Sequence, residues 1–273
     1  MLGDRHYDYD VSPGSALAQV TIGEGPLVAT AIHDGHVVRP EVAELLALDD
    51  AQRLREEDPF TAEWTTLAPT RVVGLRSRFE VDLNRPRDGA LYLTPEQAWG
   101  LTVWRRTLPA NVVAHSLAEY DAFYSLLRRL LDEKVHRHGR FVVFDIHSYN
   151  HRRDGPDAPP ADPLANPEIN VGTGTMPRWR WARLVDRFLN DLRSGDRAGA
   201  RPLDVRENVR FRGGYLAKWV HGAYPNSGCA IAIEVKKFFM DEWTGRPDRD
   251  AIASIGHALS AAVPGLLEEL ARA

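Results

Sequence analysis

The chain has one cysteine, Cys229, among 273 residues, so no disulfide closes within it and the fold neither needs nor reports an oxidising compartment. That thiol lies inside "GCAIAIEV", a context that reads as a small buried strand residue rather than a nucleophile. An excess of one charge is also lacking. The 34 Lys and Arg against 38 Asp and Glu leave a net charge of -4, which gives no reason to expect nucleic acid or an anionic membrane as a partner. No window approaches the roughly 20 apolar residues of a membrane helix, and "MLGDRHYDYD" lacks the basic-then-apolar pattern of a leader. A cytoplasmic protein is the expectation. Internal repeats and low-complexity tracts are absent. Apolar residues, at 44% of the chain, suffice for a substantial core, and one domain over 1–273 is expected.

Four short segments carry strand signatures: "LVATAI" (27–32), "RFEVDLN" (78–84), "RFVVFDIHS" (140–148) and "CAIAIEVKK" (229–237). Between the second and third, Leu117, Tyr120, Phe123, Tyr124, Leu127, Leu130 and Leu131 recur at helical spacing. Ser116 is placed to cap that helix with Glu119 completing a capping box, and Gly139 stops it. A second helix fits 177–195 and a third the C-terminal "RDAIASIGHALSAAVPGLLEELARA". Strands alternating with helices predict an α/β fold whose mainly parallel sheet is covered on both faces. Residues 150–170, rich in Pro, Asp and Asn, predict a long irregular loop.

Ligand sites in such sheets form beyond the carboxyl ends of the strands, and there the polar residues of this sequence collect. "AIHDGH" puts His33 and His36 three residues apart at the end of an apolar run. The pair reads either as a polar turn or as two imidazoles converging on a metal ion. "FDIHSYN" places Asp145 and His147 on one strand face. They are either each other's partners, or His147 is a third ligand with Asp145 supporting it. Three ligands with an open fourth position are the arrangement of a catalytic zinc, which acidifies water. Glu234, mid-strand in "AIAIEVKK", reads as one half of a buried ion pair or as a general base. In "RFEVDLNRPRDG", Arg78, Glu80, Asp82 and Asn84 alternate with apolar residues, the pattern of an amphipathic strand with a solvated face. Asn84 and Arg85 at its end form a fork of donors suited to a carboxylate. "VRFRGGYLAKW" offers Arg210 and Arg212 beside a Gly-Gly that reads equally as a plain turn.

Taken in order, "HDGH", "DLNRP", "DIHS", "VGTGT", "RGGY" and "AIEVKKFFMDE" resemble the N-formylglutamate amidohydrolase family over roughly residues 27–242. The "DLNR" and D-x-H elements are also similar to those of aspartoacylases, relatives of the zinc carboxypeptidases. The resemblance implies a three-layer α/β/α fold with a mainly parallel mixed sheet, zinc-carboxypeptidase-like (phosphorylase/hydrolase-like). It implies one Zn2+ per chain and removal of a formyl or other small acyl group from the nitrogen of an amino acid, a small-molecule substrate. Carried over by position, His33 and His147 are metal ligands. His36 stands where the relatives' H-x-x-E pattern has Glu and is expected to be the third ligand, with Asp145 behind His147. Glu234 matches the catalytic Glu, Asn84 and Arg85 the substrate-binding pair, and Arg78, with a slip of one residue, an oxyanion-stabilising Arg. Arg212 and Tyr215 of "RGGY" are candidate substrate contacts. A second carboxylate on the substrate would need a further cation, for which Arg39, Arg152, Arg210 and Arg212 all qualify. Two other readings use the same parts: a carboxypeptidase-type peptidase, and a non-catalytic ligand-binding descendant of the fold.

Overall fold

The nine residues Phe141–Tyr149 form a strand buried along its whole length, and the molecule is arranged around it. The computed structural model describes residues 5–10, 16–194 and 202–273; Gly195, the last position of the helix expected over 177–195, lies outside them. The strands are β1 (Arg5–Asp10), β2 (Ala16–Ile22), β3 (Leu27–Ala31), β4 (Thr70–Gly74), β5 (Phe141–Tyr149), β6 (Ile169–Gly172), β7 (Val205–Glu207) and β8 (Gly228–Lys236). They join in one sheet in the order β1-β2-β4-β3-β5-β8-β6-β7. β4, β3, β5 and β8 run parallel, as does β7 to β6, while the β1–β2, β2–β4 and β6–β8 pairings are antiparallel.

Three short helices, α1 (Pro40–Ala43), α2 (Asp50–Glu56) and α3 (Thr61–Trp64), precede four longer ones: α4 (Ala110–His138), α5 (Ala182–Ser194), α6 (Tyr215–Ala223) and α7 (Arg249–Arg272). The alternation of side chains along β5 assigns them to layers. Val142, Phe144 and Ile146 pack with Leu184, Phe188 and Leu192 of α5 and Ile255, Leu259 and Leu266 of α7. Phe141 and Val143 pack on the other face with Phe123, Leu127 and Leu131 of α4 and Leu216 and Val220 of α6. Burying each such side chain contributes roughly 1.5–3 kcal/mol. The three-layer α/β/α expectation is met. By length and composition α7 is apolar enough to cross a membrane, contrary to the expectation that no window would be. In the fold its apolar stripe packs into the core against α5.

Two local expectations are corrected. Residues 78–84 form successive turns rather than a strand, and the strand of this region is β4, a few residues earlier. The alternation is real but arises otherwise. Phe79 enters a small core with Val42, Leu46 and Tyr92, whereas Val81 and Leu83 join the α4 layer. The intervening Glu80 and Asp82 are not solvated but fully buried against cations. Likewise Ser116 caps nothing: α4 begins six residues earlier, directly after Pro109, and the Ser116 hydroxyl accepts a hydrogen bond from Arg39 at 2.6 Å. Glu119 pairs with Arg76 at 3.0 Å instead of closing a capping box.

Candidate active site

On the α4 and α6 face the rows of side chains begin apolar and turn polar toward the carboxyl ends of the parallel strands. Along β5 the row is Phe141, Val143, Asp145, His147; along β8 it is Ala230, Ala232, Glu234; along β3 it is Val28, Thr30. Register aligns them, since His147 lies opposite Glu234 and Thr30 opposite Asp145. The polar ends meet a cavity of about 510 Å³ lined by His33, Asp58, Arg78, Asn84, Arg85, His147, Arg212, Tyr215 and Glu234, among others.

His33, Asp58 and His147 form a buried cluster whose ligand atoms all lie within 4.8 Å of one another. Asp58 Oδ2 is 3.4 Å from His33 Nδ1 and 3.0 Å from His147 Nδ1. The opposite ring nitrogens are held from behind. Asp82 Oδ1 is 2.8 Å from His33 Nε2, and Asp145 Oδ1 is 3.1 Å from His147 Nε2. Asp145 Oδ1 also accepts the Thr30 hydroxyl at 3.0 Å. Both imidazoles are thereby turned so that Nδ1 faces the common point, an arrangement typical of metal-binding histidines backed by carboxylates. His33 Nδ1 has no hydrogen-bond partner although it is buried, as expected of an atom reserved for a ligand. Two imidazoles and a carboxylate suit zinc and similar divalent ions, so the residues fit the metal that the sequence implies.

The electrostatics favour positive charge at this point. Burial opposes ionisation of Asp58, but the hydrogen bond from His147 and the neighbouring His33 imidazole outweigh it and hold the carboxyl well below its usual range. Burial likewise opposes the charged form of His147, yet Asp145, followed by Asp58, pushes its pKa well above 6.5. Desolvation would raise Asp82, but Arg78 and His33 keep it well below 3.8. Glu234 differs. Burial raises its carboxyl to about 7, and it has no hydrogen-bond partner among the described residues.

His36 does not join the cluster. Its Nδ1 lies 2.5 Å from Glu57 Oε2 and its Nε2 3.2 Å from the Arg53 guanidinium, and the side chain is 38% exposed. The third group is Asp58, which sequence reasoning missed. Its backbone N–H donates to His33 O at 2.9 Å, so the segment after α2 is tied beside the end of β3 while His36 turns outward. Lys237, buried at the end of β8, donates to the carbonyls of Arg55 (2.6 Å) and Glu57 (2.7 Å), fixing the same segment. One signal was available. Glu56, Glu57 and Asp58 crowd the carboxyl end of a helix, where the helix dipole disfavours negative charge, and such a local violation often marks a functional site.

The other expected residues fall as follows. Arg78 Nη2 bonds Asp82 at 3.0 Å, Nε bonds the Tyr92 hydroxyl at 3.1 Å, and the guanidinium lies 4.8 Å from the Trp99 ring centre. Tyr92 in turn donates to Asp82. Asn84 is already engaged: Oδ1 accepts Leu216 N–H at 2.9 Å and Nδ2 lies 3.2 Å from His147 Nε2. A Cβ on Gly214 would collide with this amide, so only glycine fits there. Arg85, nearly half exposed, comes no closer than 3.9 Å to Asp82. Arg212 and Tyr215 line the cavity as well. Of the four arginines weighed for a second carboxylate, Arg212 alone lines the cavity; Arg39 is buried against Glu80, Arg152 bonds Pro156 O, and Arg210 stacks on Tyr149 and Phe211. Trp99, Asn150, Arg153 and Lys218 also line it and carry no motif.

The crystal structure of N-formylglutamate amidohydrolase from Ralstonia eutropha JMP134 is similar to this chain at a TM-score of 0.73 and 18% identity, covering 93% of this chain and 98% of that one. A gene product of Agrobacterium tumefaciens is similar at a TM-score of 0.65 and 17% identity, covering 92% and 95%. More distant is the metallo-carboxypeptidase from Pseudomonas aeruginosa, with a TM-score of 0.37 and 15% identity over 92% of this chain and 61% of that one. No curated protein matches at a significant level. At such identities the solved structures speak to the fold. The family model for N-formylglutamate amidohydrolase, however, matches residues 25–240, which include every cavity-lining residue named above, and the chain belongs to that family.

Proposed function

We propose that this chain hydrolyses the amide of an N-formyl, or other small N-acyl, amino acid with the help of one divalent metal ion, zinc by its donor set. The reading is carried by the convergence of His33, Asp58 and His147 next to an unpartnered Glu234 at the floor of one cavity. The two histidines and Asp58 would hold the ion, with Asp82 and Asp145 orienting the rings. When bound, the ion supplies Lewis acidity toward the amide carbonyl and lowers the pKa of water.

The remaining steps belong to side chains. Glu234, raised to about 7, takes a proton from the attacking water as its oxygen adds to the acyl carbon. It then delivers that proton to the amide nitrogen as the C–N bond breaks, leaving a carboxylic acid, formate for a formyl substrate, and the free amino acid. Arg78, immobilised by Asp82 and Tyr92, sets a fixed positive charge toward the oxyanion that develops on the acyl oxygen. Arg85, not engaged in any close ion pair, binds the α-carboxylate and so places the amide over the metal cluster. Asn84, whose side-chain carbonyl is committed to Leu216 N–H and whose amide nitrogen lies against His147, acts by holding the start of α6 beside the cluster rather than by reaching the carboxylate. Arg212 and Tyr215 bound the far end of the substrate.

Assays of N-formyl and N-acetyl amino acids beside short peptides, with metal content measured on the same protein, test this reading. Turnover of the acylated amino acids with about one metal per chain is expected. Peptide cleavage without deacylation, or a protein that turns over nothing when loaded with zinc, would overturn it.

A further inference from the structure

Asn150 follows directly on β5 and is only 2% exposed, yet it lines the cavity. Its Oδ1 is buried without a hydrogen-bond partner, and its amide nitrogen makes no side-chain hydrogen bond among the described residues. A half-turn about χ2 therefore exchanges the two atoms without breaking any bond. Buried carboxamides in folded proteins are almost always satisfied, so this one is set apart. Other acceptors at the cavity are engaged or committed: Asn84 Oδ1 takes Leu216 N–H, the Glu56 carboxylate takes the Arg153 guanidinium at 3.0 Å, and Glu234 serves the proton transfers proposed above. The same cavity is rich in cations, among them Arg85, Arg212, Lys218 and Lys237, which attract the oxygens of an acylated amino acid but offer nothing to its N–H. That N–H needs an acceptor.

We propose that Asn150 is a substrate-binding residue whose side-chain carbonyl accepts the N–H of the scissile amide, an inference that rests on the amidohydrolase reading above. Asn150 stands at the end of β5, and Glu234 lies on β8, the strand paired with it. Holding the N–H from β5 keeps the leaving nitrogen in a fixed orientation toward the carboxyl that protonates it. In the free protein the carboxamide is left unpaired, an instability accepted at a site that the substrate completes.

Two substrates separate this role from a structural one: an N-formyl amino acid, and the formate ester of the matching 2-hydroxy acid, which is nearly isosteric but lacks the N–H. In Asn150→Leu, kcat/KM for the amide should fall on the order of 10–10²-fold, while the ester stays within about threefold of wild type. The Tm should hold or rise, because an apolar isostere removes an unsatisfied polar group. Asn150→Ala repeats the comparison should the leucine fail to fold. Equal losses on amide and ester, or an unchanged amide-to-ester ratio, would remove Asn150 from amide recognition while leaving the amidohydrolase reading intact. A wild-type protein that hydrolyses neither compound would overturn both.

Discussion

Asp82 Oδ1 lies 2.8 Å from His33 Nε2, while the same carboxylate, through Oδ2, takes Arg78 at 3.0 Å and the Tyr92 hydroxyl. One fully buried side chain thus aligns an imidazole that would hold the ion and the arginine that would answer the oxyanion. Replacement of such a supporting carboxylate typically costs 10–100-fold in metal affinity. For Asp82→Asn we expect zinc affinity to fall by about that factor in titrations of the metal-free protein, with turnover partly restored by excess zinc. Unaltered affinity would mean that the Asp82–His33 contact does not tune the site.

The ligand set itself separates two adjacent expectations. Asp58→Ala and His147→Ala should each abolish metal binding and turnover, because each removes one of three converging donors. His36→Ala should retain close to one metal per chain, since that imidazole bonds Glu57 and Arg53 at the edge of α2. Metal content measured after exhaustive dialysis checks both. Loss of metal in the His36 variant alongside retention in the Asp58 variant would reverse the assignment.

This contrast also shows what could be read before folding. β3, β5 and β8 were legible because parallel central strands are buried on both faces and appear as continuous apolar runs. Polar residues ending those runs, His33, Asp145, His147 and Glu234, were legible for the same reason. Asp58 was not, because its place beside His33 depends on a backbone hydrogen bond between residues 25 positions apart, and no periodicity encodes such a return. The misreading of residues 78–84 has a related cause. Buried Glu80 and Asp82 look like a solvated face unless the cations that neutralise them, Arg39, Arg76 and Arg78, are known to be near. Trp99 and Arg153 reach the cavity from loops and bear no local mark of it.

Glu234→Gln tests the proton-transfer role. The amide keeps the shape of the side chain and cannot accept a proton from water, so metal should stay bound while kcat falls by a factor on the order of 10² or more. Stability should not suffer, because the carboxyl holds no hydrogen bond among the described residues and burial already favours its neutral form, with a pKa raised to about 7. A variant that binds metal and retains near-normal kcat would remove Glu234 from the mechanism.

His221 makes stability depend on pH, away from the metal cluster. Its Nε2 accepts the Ala230 N–H at 3.0 Å, so the ring proton resides on Nδ1, which lies 3.1 Å from Thr175 Oγ1. A second proton has no acceptor there, and burial pushes the pKa from 6.5 to about 4. The folded value lies below the unfolded one, so between them the unfolded chain binds more protons and stability rises with pH. The contribution is complete above about pH 6.5 and is lost as pH falls toward 4. By linkage the wild type should lose on the order of 2–3 kcal/mol from this group between pH 7 and pH 4.5. His221→Gln, which cannot titrate, should be less stable than wild type at pH 7, with the deficit shrinking by about that amount at pH 4.5. Urea unfolding of both proteins at the two pH values measures the difference directly, and a deficit that stays constant would show that His221 is not kept neutral by the fold.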